Sequence, residues 1–96
     1  MDIDIVASAE ATQDPLQKAI LMGLAADQLI DSPIFKDRVA ALKQRYTEQF
    51  LNSKPEEKDA REDAYRMIRA LSDLCGEFIS TSQRGQLAKR ELKRKQ

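Results

Sequence analysis

Three prolines, at positions 15, 33 and 55, constrain this chain more than any other feature, because each follows residues able to cap a helix. Proline holds φ near the helical value and has no N–H to leave unpaired, so it suits a first turn. It also disfavours helical geometry in the residue before it. Asp14-Pro15 therefore opens a helix, with the Asp14 carboxylate in place to accept from free backbone N–H groups. Asp31-Ser32-Pro33 ends that helix and opens the next, and Asn52-Ser53-Lys54-Pro55 ends the second and opens a third. The punctuation predicts helices over about 15–30 and about 33–52, and a third starting near 54–56. Ser53 and Glu56 have the Ser-x-x-Glu spacing of a capping box.

Between these marks lie good helix formers, and the whole chain has only three Gly and three Pro. Hydrophobic residues make up 42% and charged residues 33%, a mixture that favours helix over sheet. The expected class is all-α, with three main helices in one domain over residues 14–83. A chain of 96 residues buries a smaller fraction of its surface than a larger domain does, so association with copies of itself would add stability.

The second predicted helix places Phe35, Val39, Leu42, Tyr46 and Phe50 at spacings of three and four, an amphipathic stripe. In the third, Ala64, Leu71 and Phe78 repeat every seven residues, accompanied by Met67, Ile68, Leu74 and Cys75, which is a packing seam of bundle type. A loop of about four residues joins these two helices, so they are expected to form an αα-hairpin. Glu57 precedes Arg61 by four residues and Glu62 precedes Arg66 by four, the favourable order for helix ion pairs. Ser80, Thr81 and Ser82 weaken the third helix, and Gly85 is read as its C-terminal cap.

The first predicted helix differs in kind. Ala19-Ile20-Leu21-Met22-Gly23-Leu24-Ala25-Ala26 is apolar around the whole axis for two turns. A helix apolar on all sides is buried on more than one, and a single hairpin cannot supply that cover. Self-association through Ile20, Leu21, Gly23 and Leu24 is the expected source, giving a bundle completed by further copies. The alternative is that the start of the chain folds back and covers the open side with Ile3, Ile5 and Val6, which would leave a monomer. Gly23 costs about 1 kcal/mol relative to alanine in a helix interior, which points to the close approach of another backbone or to a tolerated glycine.

Charge divides the ends of the chain. Residues 1–13 read as a flexible acidic arm, and residues 84–96 as a basic, partly helical tail carrying Arg84, Lys89, Arg90, Lys93, Arg94 and Lys95 against Glu91. The basic residues suit phosphate groups of nucleic acid, an acidic protein surface, or solvent alone. Sequence-specific DNA reading is disfavoured, because Ile34 and Phe35 stand where a helix-turn-helix needs polar residues. The tail also lacks the interleaved aromatics of a single-strand stacking platform.

Chemistry is sparse. Histidine is absent and Cys75 is the single cysteine, so no disulfide framework or Cys/His zinc site forms within one chain, and a reducing compartment such as cytoplasm is expected. Cys75 lies in the seam and reads as a small core residue. Glu56, Glu57, Asp59, Glu62 and Asp63 cluster where a helix N-terminus favours negative charge. No phosphate loop, Ser-His-Asp set or metal-spaced cluster occurs. No catalytic residue, cofactor or metal is expected, and no membrane span, since the longest apolar run is far below the roughly 20 residues required.

The order Leu29-Ile30-Asp31-Ser32-Pro33-Ile34-Phe35, then Asn52-Ser53, Asp59-Ala60-Arg61-Glu62 and Arg84-Gly85-Gln86-Leu87-Ala88 resembles small helical virion and head-assembly proteins of tailed bacteriophages. The likeness covers roughly residues 27–90. It implies a non-enzymatic structural or assembly protein with phage structural proteins as partners, and it brings no catalytic or ligand-binding residue with it. Two other functions are consistent with the residues: a nucleic-acid-associated protein gripping phosphate through its basic tail, and a small helical regulator that docks its apolar helix into a host protein.

Overall fold

The computed structural model describes the backbone of residues 3–95 and the side chains of residues 5–95. These residues form α1 (Ile3–Ala11), α2 (Pro15–Asp31), α3 (Pro33–Asn52) and α4 (Lys58–Lys95), with no strand among them. The predicted all-α class holds, with four helices in place of three. The chain divides into two compact units. One contains residues 1–32 and 76–96, and the other residues 33–75.

Local chemistry explains the boundaries. Asp14 is extended, at φ −77° and ψ 115°, and its Oδ1 accepts from the Leu16 and Gln17 N–H groups at 3.0 and 3.5 Å, with Pro15 in the first turn. Ser32 is the one residue between α2 and α3, and its N–H donates to the Leu29 carbonyl at 3.1 Å as Pro33 begins the next helix. The start of α4 departs from the expected capping box. Ser53 Oγ donates backward to the Phe50 carbonyl at 2.7 Å, and it is the Glu57 carboxylate that accepts from the Lys54 N–H, at 3.1 Å. A turn closed by Glu57 N–H to the Lys54 carbonyl at 2.9 Å delays the helix to Lys58. Arg61 then donates to the Lys54 and Pro55 carbonyls at 2.6 and 3.3 Å in place of pairing with Glu57. The other expected pair forms, with Arg66 at 3.6 Å from Glu62.

The unit made of the two chain ends is built around α2. Residues 3–11, expected to lie in an arm without fixed structure, are helical, and α1 packs against α2. The Ile3/Ile5 alternation suggested no helical register, yet Ile5 and Val6 are half-buried and Ala9, on the same helical face, is wholly buried. A neighbour for that face overrides the weak local signal. The Ile3 side chain lies outside the described residues.

α2 buries Gly23, Ala25 and Ala26. At about 100° per residue, Ala25 stands about 200° around the axis from Gly23, so α2 is covered on opposite sides. On the Gly23 side runs the second half of α4. A Cβ added to Gly23 would meet Gly85 Cα at 2.9 Å and the Thr81 carbonyl at 3.3 Å; one added to Gly85 would meet Gly23 Cα at 2.9 Å and the Ala19 carbonyl at 3.0 Å. Later residues of α2 thus meet earlier residues of α4, and the two run antiparallel. Gly85 is not a helix cap. No described glycine has positive φ, the conformation such a cap uses, and α4 continues past it to Lys95.

The other unit consists of α3 and the first half of α4. Phe35, Val39, Leu42 and Tyr46 of the predicted stripe are half-buried, Phe50 is exposed, and α3 has no buried residue. On α4 the seam residues Ala64 and Leu71 are buried and Ile68 is half-buried. Gln49 Nε2 donates to the Ala60 carbonyl at 3.1 Å, tying the end of α3 to the start of α4.

Candidate functional site

Two surfaces are candidates for function. The first is the α2–α4 crossing, where Ile20, Gly23 and Leu24 of the expected association residues, but not Leu21, come together with Arg84 and Lys89 of the basic segment. Gly23 faces Gly85 across a backbone contact, and Ser82 Oγ donates to Asp27 Oδ1 beside it. A shallow groove on one side is lined by Ile20, Leu24, Asp27, Gln86 and Lys89 together with both glycines and Ser82. A second groove, lined by Pro15, Lys18, Ala19, Met22, Thr81 and Arg84, flanks the crossing on the other side.

This placement corrects the expected role of Gly23. The backbone that approaches it belongs to α4 of the same chain, so Gly23 is closed to another subunit in this arrangement. Ile20 and Leu21 are half-buried, and Leu24 remains 47% exposed. Much of the cover that the apolar helix needs is therefore intramolecular, from α1 and α4. That is the fold-back alternative read from the sequence, extended by a second helix.

The basic segment is regular helix through Lys95. Helical geometry spreads its charges: Lys89, Arg90, Lys93 and Arg94 fall within an arc of about 140°, and Arg84 and Lys95 lie outside it. All six side chains belong to exposed residues. Arg94 pairs with Glu91 at 2.6 Å, and Lys93, Arg94 and Lys95 occupy the last turn, where positive charge complements the helix dipole. That local role accounts for half of the cluster without a ligand.

Sequence reasoning missed the second surface, on α3 and the first half of α4. Ile34, Phe50, Leu51, Tyr65, Met67 and Leu74 of these two helices are all at least 40% exposed, with Ile34 at 68% and Leu51 at 71%, but they do not share one face: Met67 and Leu74 stand about 180–200° around α4 from Tyr65. Phe50 and Tyr65 line a groove between the helices whose other walls are Lys58, Arg61 and Glu62. Ile34 and Leu51 sit beside Phe35 and Phe50 in sequence but off the stripe direction, and that off-stripe position was the available signal.

Among the described residues, no group of three or more carboxylate, cysteine or histidine side chains is arranged to hold a metal ion. Cys75 is half-buried in the α4 seam. No described helix is long and apolar enough to cross a membrane. No protein-family model matches the chain, and no curated protein or solved structure is detectably similar to it.

Proposed function

We propose that this chain is a non-enzymatic assembly protein that acts by helix-to-helix association, with the surface of α3 and the first half of α4 as its principal contact. One observation carries the reading. α3 buries no residue, and the two-helix unit leaves six large apolar side chains at 40% exposure or more. Apolar side chains that line an open groove between two helices, as Phe50 and Tyr65 do, gain cover when a further helix seats there. The expected αα-hairpin and the homo-oligomer belong to this proposal. So does the setting implied by the phage resemblance, in which many copies of a small helical protein brace a virion or head.

The contact lies away from Ile20, Leu21, Gly23 and Leu24, because α1 and α4 already cover much of α2. At its centre are Phe50 and Tyr65, with Lys58, Arg61 and Glu62 as a charged rim of mixed sign, and the exposed Leu51 follows Phe50 in α3. An apolar centre within a polar rim is the usual anatomy of a protein interface.

Light scattering on the full chain over a range of concentrations tests this. The expected mass is a multiple of 10.9 kDa, with Leu51→Asp or Tyr65→Asp shifting it toward the monomer while helicity is retained. A monomer at every concentration would refute the proposal.

A further inference from the structure

One groove beside the α2–α4 crossing has carboxylates at one end and ammonium groups at the other. At about 100° per residue, Ile20, Leu24, Asp27 and Asp31 fall within an arc of about 60° on α2, and Ser82, Gln86, Lys89 and Lys93 fall within an arc of the same width on α4. Asp27 and Lys89 line the groove, and Asp31 and Lys93 each stand one turn further along the same faces.

The single chain keeps these charges apart. The helices run antiparallel, so Asp27 lies beside Ser82, which donates to it. Gly85 meets Gly23 and the Ala19 carbonyl, and Lys89, one turn later, stands beside the turn of Ile20. Among the described residues, none of Asp27, Asp31, Lys89 and Lys93 takes part in an ion pair.

We propose that a second copy of this protein seats in this groove, its α2 antiparallel to the first across a two-fold axis at Leu24. The axis brings Asp27 of one copy level with Leu21 of the other, and Asp31 level with Gln17. These are the turns beside Lys89 and Lys93. Two carboxylates four residues apart thus meet two ammonium groups four residues apart, once at each end of the contact. Leu24, 47% exposed in the single chain, is covered at the axis by its own counterpart.

The order of charges selects a second copy as the occupant. Read along the groove, the pattern is acidic, apolar, basic, and reversing it gives its own complement. Self-complementarity of this kind is what a two-fold contact requires, since each patch must fit itself. Charges at the ends of such a contact fix the partner and its direction more than they tighten the pair. The contact is separate from the surface of α3 and the first half of α4, and does not rest on it.

Charge reversal tests the pairing. Every chain carries Tyr65→Asp, to weaken association through α3 and α4. Chains with Lys89→Glu and Lys93→Glu are mixed with chains carrying Asp27→Lys and Asp31→Lys. Each kind by itself sets like charges together at both ends, and the mixture restores opposite ones. Native mass spectrometry is expected to show mixed pairs exceeding the two self-pairs together by about tenfold. Mixed pairs no more abundant than that sum, or no pairs, would overturn the proposal. Asp27→Lys also removes the bond from Ser82, so a second measurement keeps all four charges. With Cys75→Ser to remove the natural thiol, Leu24→Cys places a thiol at the axis, where it meets its counterpart, whereas Gln17→Cys places one level with Asp31. On oxidation the Leu24→Cys chain is expected to give several-fold more disulfide dimer than the Gln17→Cys chain. Equal yields would overturn the two-fold arrangement.

Discussion

The two units of this chain solve the same problem, burying a helix face with little chain, in different ways. Around α2 the backbone itself comes close: Gly23 and Gly85 touch, and alanines at 9, 25, 26 and 88 are buried. In the unit of α3 and the first half of α4, Phe35, Val39, Leu42, Tyr46 and Ile68 are half-buried and only Ala64 and Leu71 are buried. The first unit draws stability from close approach, where dispersion contacts are dense and little side-chain entropy is lost. The second holds larger side chains loosely and leaves several exposed. The difference teaches that a small helical chain can have one tightly specified crossing whose described buried residues are alanines and glycines.

The largest test of this contrast is Gly85→Val. Its Cβ would stand 2.9 Å from Gly23 Cα and 3.0 Å from the Ala19 carbonyl, both backbone atoms that cannot rotate away. The helices must separate, and a loss of about 3 kcal/mol is expected, at the upper end of overpacking costs. Urea unfolding followed by circular dichroism measures it, and a loss under about 1 kcal/mol would show that the crossing is not tight.

Leu71→Ala addresses the looser unit. Leu71 is 9% exposed, and its truncation is expected to cost about 2 kcal/mol, near the lower limit for buried leucines because half-buried neighbours can settle into the space. A cost above about 4 kcal/mol in the same unfolding measurement would mean that this unit is as rigidly packed as the crossing.

Gly76→Ala is the smallest effect and has the opposite sign. Nothing lies within 4 Å of the position its Cβ would take, and the residue is inside α4 with no positive φ. Alanine there is expected to stabilise the chain by about 1 kcal/mol through helix propensity. A destabilised variant would show that Gly76 has a packing role of its own. With Gly85→Val it separates glycines needed for contact from one that is not.

The positions of the helices were legible in the sequence to a useful degree. Asp14-Pro15, Ser32-Pro33 and Asn52 mark ends of α2 and α3 that match the structure within about a residue, because capping acts over three or four residues and leaves its signature in the local string. The start of α4 was placed a little early, since Ser53 and Glu57 each had a competing partner only a few residues away. α1 was missed because its signal depends on a face that α2 covers. The candidate site was half legible: a close approach at Gly23 was anticipated, but its partner and the exposed groove at Phe50 and Tyr65 were not.

The sequence by itself determined the all-helical class, the boundaries set by proline and aspartate, and the division of charge between the ends of the chain. Only the tertiary structure decided that Gly85 is a crossing point, that residues 1–32 and 76–96 form one unit, and that α1 and α4 cover α2. The physical reason is range. A cap is settled by neighbours in the chain, and its residues reveal it. A backbone crossing depends on a glycine many turns away, and glycine looks the same in sequence whether it ends a helix, loosens one or admits another backbone.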